Sequence, residues 1–505
     1  MQEATSLNSL PNDIISLKQM VLESYQEIER LREQIRLMQQ RRFGRKSEKS
    51  DSAQLSLFDD LYQSEEPSES DGNEVIDIKS HKRKKSTNNR TLPKDLPRET
   101  IHYDLSESEK VCGCGTALHK IGEDKFEQLE YIPAQVKVIE HIKAKYSCRD
   151  CEEFVKTAQA PKQPIPKSIA SPGLLAQTIV SKYADHLPLY RQESIFARIG
   201  VEISRATMSN WVFKCAELVS PLVDLLKKQI IESDYVCADE TTVQVLENSK
   251  NSSKDYMWVY MTGSDPKPAV VFEHHPTREG DVAYEFLKSF KGYLQTDGYN
   301  GYNLLRDEKY IIALGCWAHV RRKFFEIMKA SKQTGAAHMA VSYINKLYKI
   351  ERHAQSEGLD AAATKALRQE KSIPILKEFK AWLDKTQPRV PPKSALGLAI
   401  QYTLKQWPYL LTYCEDGRLG IDNNPVERMI KPFACGRKNW LFCGNTKGAR
   451  ASAGLYSLLQ TCKLNSLDPY KYFRYILTKL PNVKTQEELE ALLPQNIDPD
   501  DLDTS

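Results

Sequence analysis

Tyr235-Val236-Cys237-Ala238-Asp239-Glu240-Thr241-Thr242 and Gly292-Tyr293-Leu294-Gln295-Thr296-Asp297-Gly298-Tyr299-Asn300-Gly301-Tyr302 share one pattern, a short apolar run that finishes on an aspartate. Between them lie Tyr256-Met257-Trp258-Val259-Tyr260-Met261 and Ala269-Val270-Val271-Phe272. All four runs are rich in β-branched and aromatic residues and bounded by Gly, Pro, Asp or Ser, which is how strands read. Val282, Phe286, Leu287 and Phe290 then follow at helical spacing before the Asp297 run. The predicted order is three strands, a helix and a fourth strand. A fifth strand is expected in Tyr310-Ile311-Ile312-Ala313-Leu314-Gly315-Cys316.

If the Asp239 and Asp297 strands are neighbours in one sheet, their carboxylates meet at a common edge. Close carboxylates repel unless a cation lies between them. Hard oxygen ligands with open positions suit Mg²⁺ or Mn²⁺, and a pair of such ions ~3.5–4 Å apart supports phosphoryl transfer. A third carboxylate is sought downstream, and Glu427 in Asp422-Asn423-Asn424-Pro425-Val426-Glu427-Arg428 is the candidate. Asn424 before Pro425 reads as an N-cap followed by proline at the first helical position, which sets Glu427 in the first turn. On spacing alone, Glu427 serves equally well as the capping-box partner of that asparagine.

Ala238-Asp239-Glu240-Thr241, Thr296 through Tyr302, Gly315-Cys316-Trp317-Ala318-His319-Val320-Arg321-Arg322, Asp422 through Arg428, and Gly436-Arg437-Lys438-Asn439-Trp440-Leu441-Phe442 occur in that order over most of the chain. Together they resemble the transposases of the insertion sequence 66 family. The resemblance implies a ribonuclease H-like catalytic core with a helical insertion, and an Asp-Asp-Glu triad of Asp239, Asp297 and Glu427 holding two Mg²⁺ or Mn²⁺ ions. It implies a DNA transposase that cuts element ends and joins them to target DNA, together with accessory proteins from neighbouring reading frames. Two alternatives stay open: a metal-dependent nuclease on the same core, and a non-catalytic DNA-binding regulator descended from a transposase.

The chain has 505 residues, room for several domains, and a net charge of +4, too small by itself to argue for a nucleic-acid partner. It lacks an apolar run of the ~18 residues needed to span a membrane, and its N-terminus is polar, so a cytoplasmic protein is expected. Eleven cysteines, an odd number with no dense framework, fit reduced thiols.

Ile14, Val21, Ile28 and Ile35 fall on one heptad register and Leu17, Leu31 and Met38 on the other, so residues 10–45 are predicted as a parallel coiled-coil helix and the chain as a homodimer or higher oligomer. A basic run from Arg41 to Lys49 follows it. Residues 46–95, with an acidic block and then Lys82-Arg83-Lys84-Lys85, read as a disordered charged linker. Cys112-Gly113-Cys114 and Cys148-Arg149-Asp150-Cys151 bracket the β-rich runs Phe126–Ile132 and Val136–Ile142 within residues 96–160. Four thiolates brought together by a hairpin make a structural Zn²⁺ site, here zinc-ribbon-like, although the first pair has one intervening residue instead of two.

Residues 161–232 begin with a proline-rich stretch and then read as three helices; Ser204 opens the last, in the manner of a helix-turn-helix that binds DNA, and a plain helical bundle leading into the core fits equally well, because few basic residues lie on that helix. The catalytic core is expected over 233–325 and 416–482, interrupted by a helical insertion over 326–415. The resulting fold class is multidomain α/β with a mixed-sheet core. His319 is a candidate for orienting a phosphate or carboxylate, and a Cys316–His319 metal pair is set aside for want of a further ligand. Arg322, Arg428, Lys431, Arg437, Lys438 and Trp440 form a basic and aromatic group suited to DNA, with Gly436 to Trp440 read as a turn. Residues 455–480 read as one apolar helical tail, and 483–505 as a mobile acidic end.

Overall fold

A computed structural model describes residues 13–43, 100, 128, 135–147, 155–247, 254–330 and 335–502. Two units are distinguished by contact density, residues 64–140 and the remainder. Few residues of the first are described. Cys112, Cys114, Cys148 and Cys151, Phe126–Tyr131 apart from Gln128, the acidic block and the basic tetrad all lie outside the described residues.

Helix α1 (Ile14–Phe43) runs unbroken for 30 residues and leaves Ile14, Val21, Ile28, Leu31, Ile35 and Met38 of its heptad positions exposed, with Leu17 half-buried. Val136–Ile142 forms no strand and is exposed, although its alternation suggested one. Strands β1 (Lys145–Ser147) and β2 (Val155–Thr157) pair antiparallel on either side of the second cysteine pair. Helices α2 (Pro172–Tyr183), α3 (Leu189–Arg198) and α4 (Arg205–Glu232) follow. Ser204 caps α4 by accepting from Thr207 N–H, and the 28-residue helix then runs far past the predicted segment, burying Met208, Trp211, Val219, Leu222, Leu226 and Ile230. Its apolar face packs on the core, which is what sustains its length.

The sheet consists of β3 (Tyr235–Gln244), β4 (Lys254–Thr262), β5 (Val270–His275), β6 (Gly292–Gln295) and β7 (Ile311–Leu314), in the order β5-β4-β3-β6-β7. β3, β4 and β5 form an antiparallel meander, whereas β6 and β7 run parallel to β3. Parallel pairing needs a crossover, supplied by α5 (Gly280–Leu287) ahead of β6 and by the short α6 (Asn303–Arg306) ahead of β7. Met257, Trp258, Val259 and Tyr260 on β4, beside the central β3, are buried on both faces, so the sheet is covered on both sides there.

After β7 the chain is helical: α7 (Trp317–Ala330), α8 (Ala336–Ser356), α9 (Ala361–Leu367), α10 (Ile373–Thr386) and α11 (Ala395–Leu411). Pro374 sits at the start of α10 and Pro391-Pro392 in the connection to α11, whereas Pro408 lies inside α11. Then come α12 (Asn424–Trp440), α13 (Thr446–Leu464), α14 (Pro469–Lys479) and α15 (Gln486–Glu490). The predicted single tail is therefore two helices, α13 and α14, broken at Ser466, whose φ is 60°. The acidic end is docked rather than mobile as far as Leu502: Leu492, Leu493 and Leu502 are buried, and Tyr472 donates to Leu492 O at 3.2 Å. Its charges hid three leucines that the core absorbs. Among the described residues no helix is long and apolar enough to cross a membrane, and the described cysteines are unpaired thiols.

Candidate active site

The β3–β6 register pairs Tyr235 with Tyr293, Val236 with Leu294 and Cys237 with Gln295. Continued two residues further, it sets Asp239 level with Asp297, because both strands point the same way. Burial holds the Asp239 carboxyl well above the usual carboxylate range, and the negative charges of Glu240, Glu427 and Asp297 push it further up. Glu427 is also raised, chiefly by burial, with Arg322 opposing and Asp422 and Asp297 adding to the rise. The three predicted carboxylates thus share one electrostatic neighbourhood, in which Glu427 and Asp297 disfavour charge on Asp239 and Asp297 disfavours it on Glu427.

Glu427 reaches this place because the segment before α12 is laced across the sheet edge. Gln295 donates to Gly420 O at 2.9 Å and to Gly315 O at 3.3 Å, and Tyr235 both donates to Gln295 Oε1 at 2.5 Å and accepts from Gly420 N–H at 3.0 Å. Asn423, fully buried, donates through its amide to Ala238 O at 2.9 Å and through its backbone to Cys316 Sγ at 3.2 Å. Trp317 N–H adds a bond to Ile421 O at 3.2 Å. Asp422 accepts from Tyr348 of α8 at 2.7 Å and from both nitrogens of Asn424. Asn423, not Asn424, therefore holds the cap position, and neither side chain caps the helix. The capping-box reading of Glu427 falls with it, since Glu427 Oε1 is buried without a hydrogen-bond partner.

Two further groups fix the aspartates. Glu240 is buried and accepts from Arg278, at 2.7 Å through Nε and again through Nη2, and from the Tyr302 hydroxyl at 2.6 Å. The Arg278 guanidinium lies 3.9 Å from the Tyr299 ring centroid, and the Tyr299 hydroxyl donates to Arg278 O at 2.6 Å. Tyr299 N–H donates to Asp297 Oδ1 at 2.8 Å, while Arg306 donates to Asp297 O at 2.6 Å. Gln295, Asn423, Arg278 and Arg306 had no signal of their own in the sequence. Glu240, next to Asp239 and within β3, takes a clasping role.

His319, on the first turn of α7, has its Nδ1 3.7 Å from Glu427 Oε1. Burial, helped by the charge of Arg322, pushes this imidazole down to about 4. It is therefore neutral near pH 7, and the contact is not an ion pair. Arg322 Nη2 stands 3.6 Å from Glu427 Oε2. Cys316, His319 and Glu427 each offer a ligand atom, all within 4.8 Å of one another, with the third donor coming from a distant part of the chain.

The profile described as the transposase IS66 family matches residues 167–451. The chain belongs to that family. Three further family profiles agree in order: transposase C of IS166 homeodomain over 30–101, the zinc-finger binding domain of transposase IS66 over 109–152, and the IS66 C-terminal element over 457–495. Among its relatives are uncharacterized proteins of Sinorhizobium fredii (strain NBRC 101917 / NGR234). y4jD is 36% identical over 80% of this chain and 81% of its own length, and y4qI is 37% identical over 79% and 76%. y4hP is 30% identical over 90% and 85%.

The remaining predicted residues of this IS66 family member lie on α7 and α12. Arg428, Lys431 and Lys438 are exposed on α12. Gly436 to Trp440 is the last part of α12 and not a turn. Arg437 points back at the sheet: its Nη1 donates to Thr241 Oγ1 at 2.9 Å, to Thr242 Oγ1 at 3.0 Å and to Thr242 O. Trp440 is half-buried against Phe433, with Lys182 Nζ 5.8 Å from its ring centroid. Arg437→Ala should therefore cost about 1–3 kcal/mol of stability, read as a lower denaturation midpoint. Lys438→Ala should leave that midpoint within about 0.5 kcal/mol, while flattening the salt dependence of DNA binding by about one unit of slope.

Proposed function

We propose that Asp239, Asp297 and Glu427 are the catalytic carboxylates of a DNA transposase on a ribonuclease H-like core, acting with two Mg²⁺ or Mn²⁺ ions. The observation that carries this reading is the convergence of the three carboxylates, with Glu427 and Asp297 opposing charge on Asp239, Asp297 opposing charge on Glu427, and Glu427 Oε1 buried and unpartnered. An antiparallel meander with parallel strands added beside its first member supports the core assignment. Half-buried acids that repel one another, one of them with a buried bare oxygen, fit a divalent-cation site better than a structural one. When bound, the cations supply charge neutralisation and polarise the attacking and leaving oxygens.

The reaction is hydrolysis of a phosphodiester at the element end, then attack of the freed 3′-hydroxyl on target DNA, an exchange needing no covalent enzyme intermediate. Asn423 and Gln295 hold the carboxylates' backbone in register, Arg278 keeps Glu240 out of the site, and Arg322, Arg428, Lys431 and Lys438 offer charge to the DNA backbone. The zinc-finger region, with Cys112, Cys114, Cys148 and Cys151 as Zn²⁺ ligands, and a coiled coil of α1 with a second copy complete the assignment. Pairing two DNA ends gives the dimer its purpose, and proteins from adjacent reading frames are proposed as accessories. The test is a strand-transfer assay with end-labelled element DNA and Mg²⁺ or Mn²⁺. Joined product from wild type and none from Asp297→Asn supports the reading, and cutting without joining replaces it with a nuclease.

The charges give a second test. The folded-state carboxyl of Asp239 is raised above its unfolded value, so the folded metal-free protein binds more protons. That contribution to stability is present at low pH and lost as pH rises through the raised value. Near pH 7 the metal-free Asp239→Asn protein should melt about 2–4 °C above wild type, a gap that closes on adding Mn²⁺. Scanning calorimetry at several pH values reads both effects.

A further inference from the structure

We infer that His319 is a metal ligand, binding through Nδ1 the same divalent cation that Glu427 holds, and that it biases this position towards Mn²⁺ over Mg²⁺. The inference rests on the carboxylate reading above and adds a nitrogen donor to it.

His319 Nδ1 and Glu427 Oε1 face each other at 3.7 Å, and each is buried without a hydrogen-bond partner. The separation exceeds hydrogen-bonding distance, so no proton shared between them accounts for the arrangement. Two unpartnered buried polar atoms at one spot leave their desolvation uncompensated. A cation ~2.1–2.2 Å from each atom satisfies both, and two ligands of one ion at that radius stand about 3–4 Å apart.

The scaffold already aims the two side chains. His319 sits on the first turn of α7, whose N-terminus is tied to the segment before α12 by Trp317 N–H to Ile421 O and Asn423 N–H to Cys316 Sγ. Cys316 lies within reach of the same point, but its sulfur accepts the Asn423 N–H and it stays a packing residue in this assignment. Arg322, 3.6 Å from Glu427 Oε2, occupies the other carboxylate oxygen and leaves Oε1 facing the imidazole. An imidazole nitrogen beside a carboxylate raises affinity for a first-row transition ion more than for Mg²⁺, which prefers an all-oxygen shell and keeps its waters.

The experiment loads the full-length protein with Mn²⁺ and records electron spin-echo envelope modulation for ¹⁴N coupled to the ion. Titrations with Mn²⁺ and with Mg²⁺ run alongside, on wild type, His319→Gln and Asp239→Asn. The expected result is ¹⁴N coupling in wild type that disappears in His319→Gln. Mn²⁺ affinity should fall about tenfold in that variant, and Mg²⁺ affinity by less than about threefold. Mn²⁺ bound in wild type and lost in Asp239→Asn, but without ¹⁴N coupling, overturns the role of His319 and leaves the carboxylate site standing. Coupling that persists in His319→Gln overturns it as well, since another histidine is then the source. Absence of any Mn²⁺ binding sensitive to Asp239→Asn overturns both readings. A wild-type spectrum without the coupling overturns the role of His319 even if His319→Gln folds poorly, and where the coupling is present His319→Asn serves as the second variant in which it should vanish.

Discussion

Replacing Asp239 by asparagine is expected to abolish cleavage of element-end DNA by about 10³-fold or more while leaving the protein folded and DNA-binding. The size follows from removing one of the charged carboxylates that would hold the proposed cations, a loss of several kcal/mol of transition-state stabilisation at about 1.4 kcal/mol per tenfold. Stability should hold because Asp239 lies among Glu240, Glu427 and Asp297, so its charge opposes folding. Asparagine keeps the shape and removes the repulsion. Asp297→Asn and Glu427→Gln should match it in rate, and double variants should lose little more, because groups acting as one unit are not additive. Single-turnover cleavage of labelled DNA, beside a gel-shift measurement of affinity, separates chemistry from binding. A variant that cuts within tenfold of wild type removes Asp239 from the reaction.

How far the sequence revealed this site depends on the range of the interaction involved. β3 to β7 were legible because each short apolar run must bury both faces, and the aspartates stood out as charges ending such runs. Glu427 was legible as a candidate only through the order of motifs, since nothing local separates a ligand from a capping partner. The Gly436–Trp440 stretch was misread because glycine suggests a turn. In the structure a Cβ at Gly436 would stand 2.7 Å from the Tyr456 hydroxyl, so the glycine lets two helices close up. The docked tail was hidden for the opposite reason, because acidic composition masked Leu492, Leu493 and Leu502. Links such as Tyr348 to Asp422, or His319 to Glu427, join residues far apart in the chain and leave no periodic trace. They need the fold before they can be seen.

Arg368→Met is expected to cost about 3–5 kcal/mol of stability and, through that loss, most of the cleavage activity. Arg368 lies within a π-helical turn of residues 368–372, with its side chain only 4% exposed and that of Glu351 18% exposed. It makes a two-pronged pair with Glu351 at 2.9 and 2.6 Å and donates to Tyr413 O, Asp416 O and Leu419 O at 2.7 to 2.9 Å. One guanidinium thus satisfies a largely buried carboxylate and three carbonyls at the place where the helical insertion returns to the sheet. Methionine fills similar volume but leaves four acceptors bare, and an uncompensated carboxylate is the larger part of the penalty. The double variant Arg368→Met with Glu351→Leu should recover part of the stability, because it removes the orphaned charge but not the three unpaired carbonyls. Those carbonyls precede Ile421–Asn423, the segment that delivers Glu427, so the variant should also weaken Mn²⁺ binding although it touches no carboxylate of the site. Urea denaturation with Mn²⁺ titration tests this: a single variant within about 1 kcal/mol of wild type, with unchanged Mn²⁺ affinity, would show that the insertion is anchored by other means.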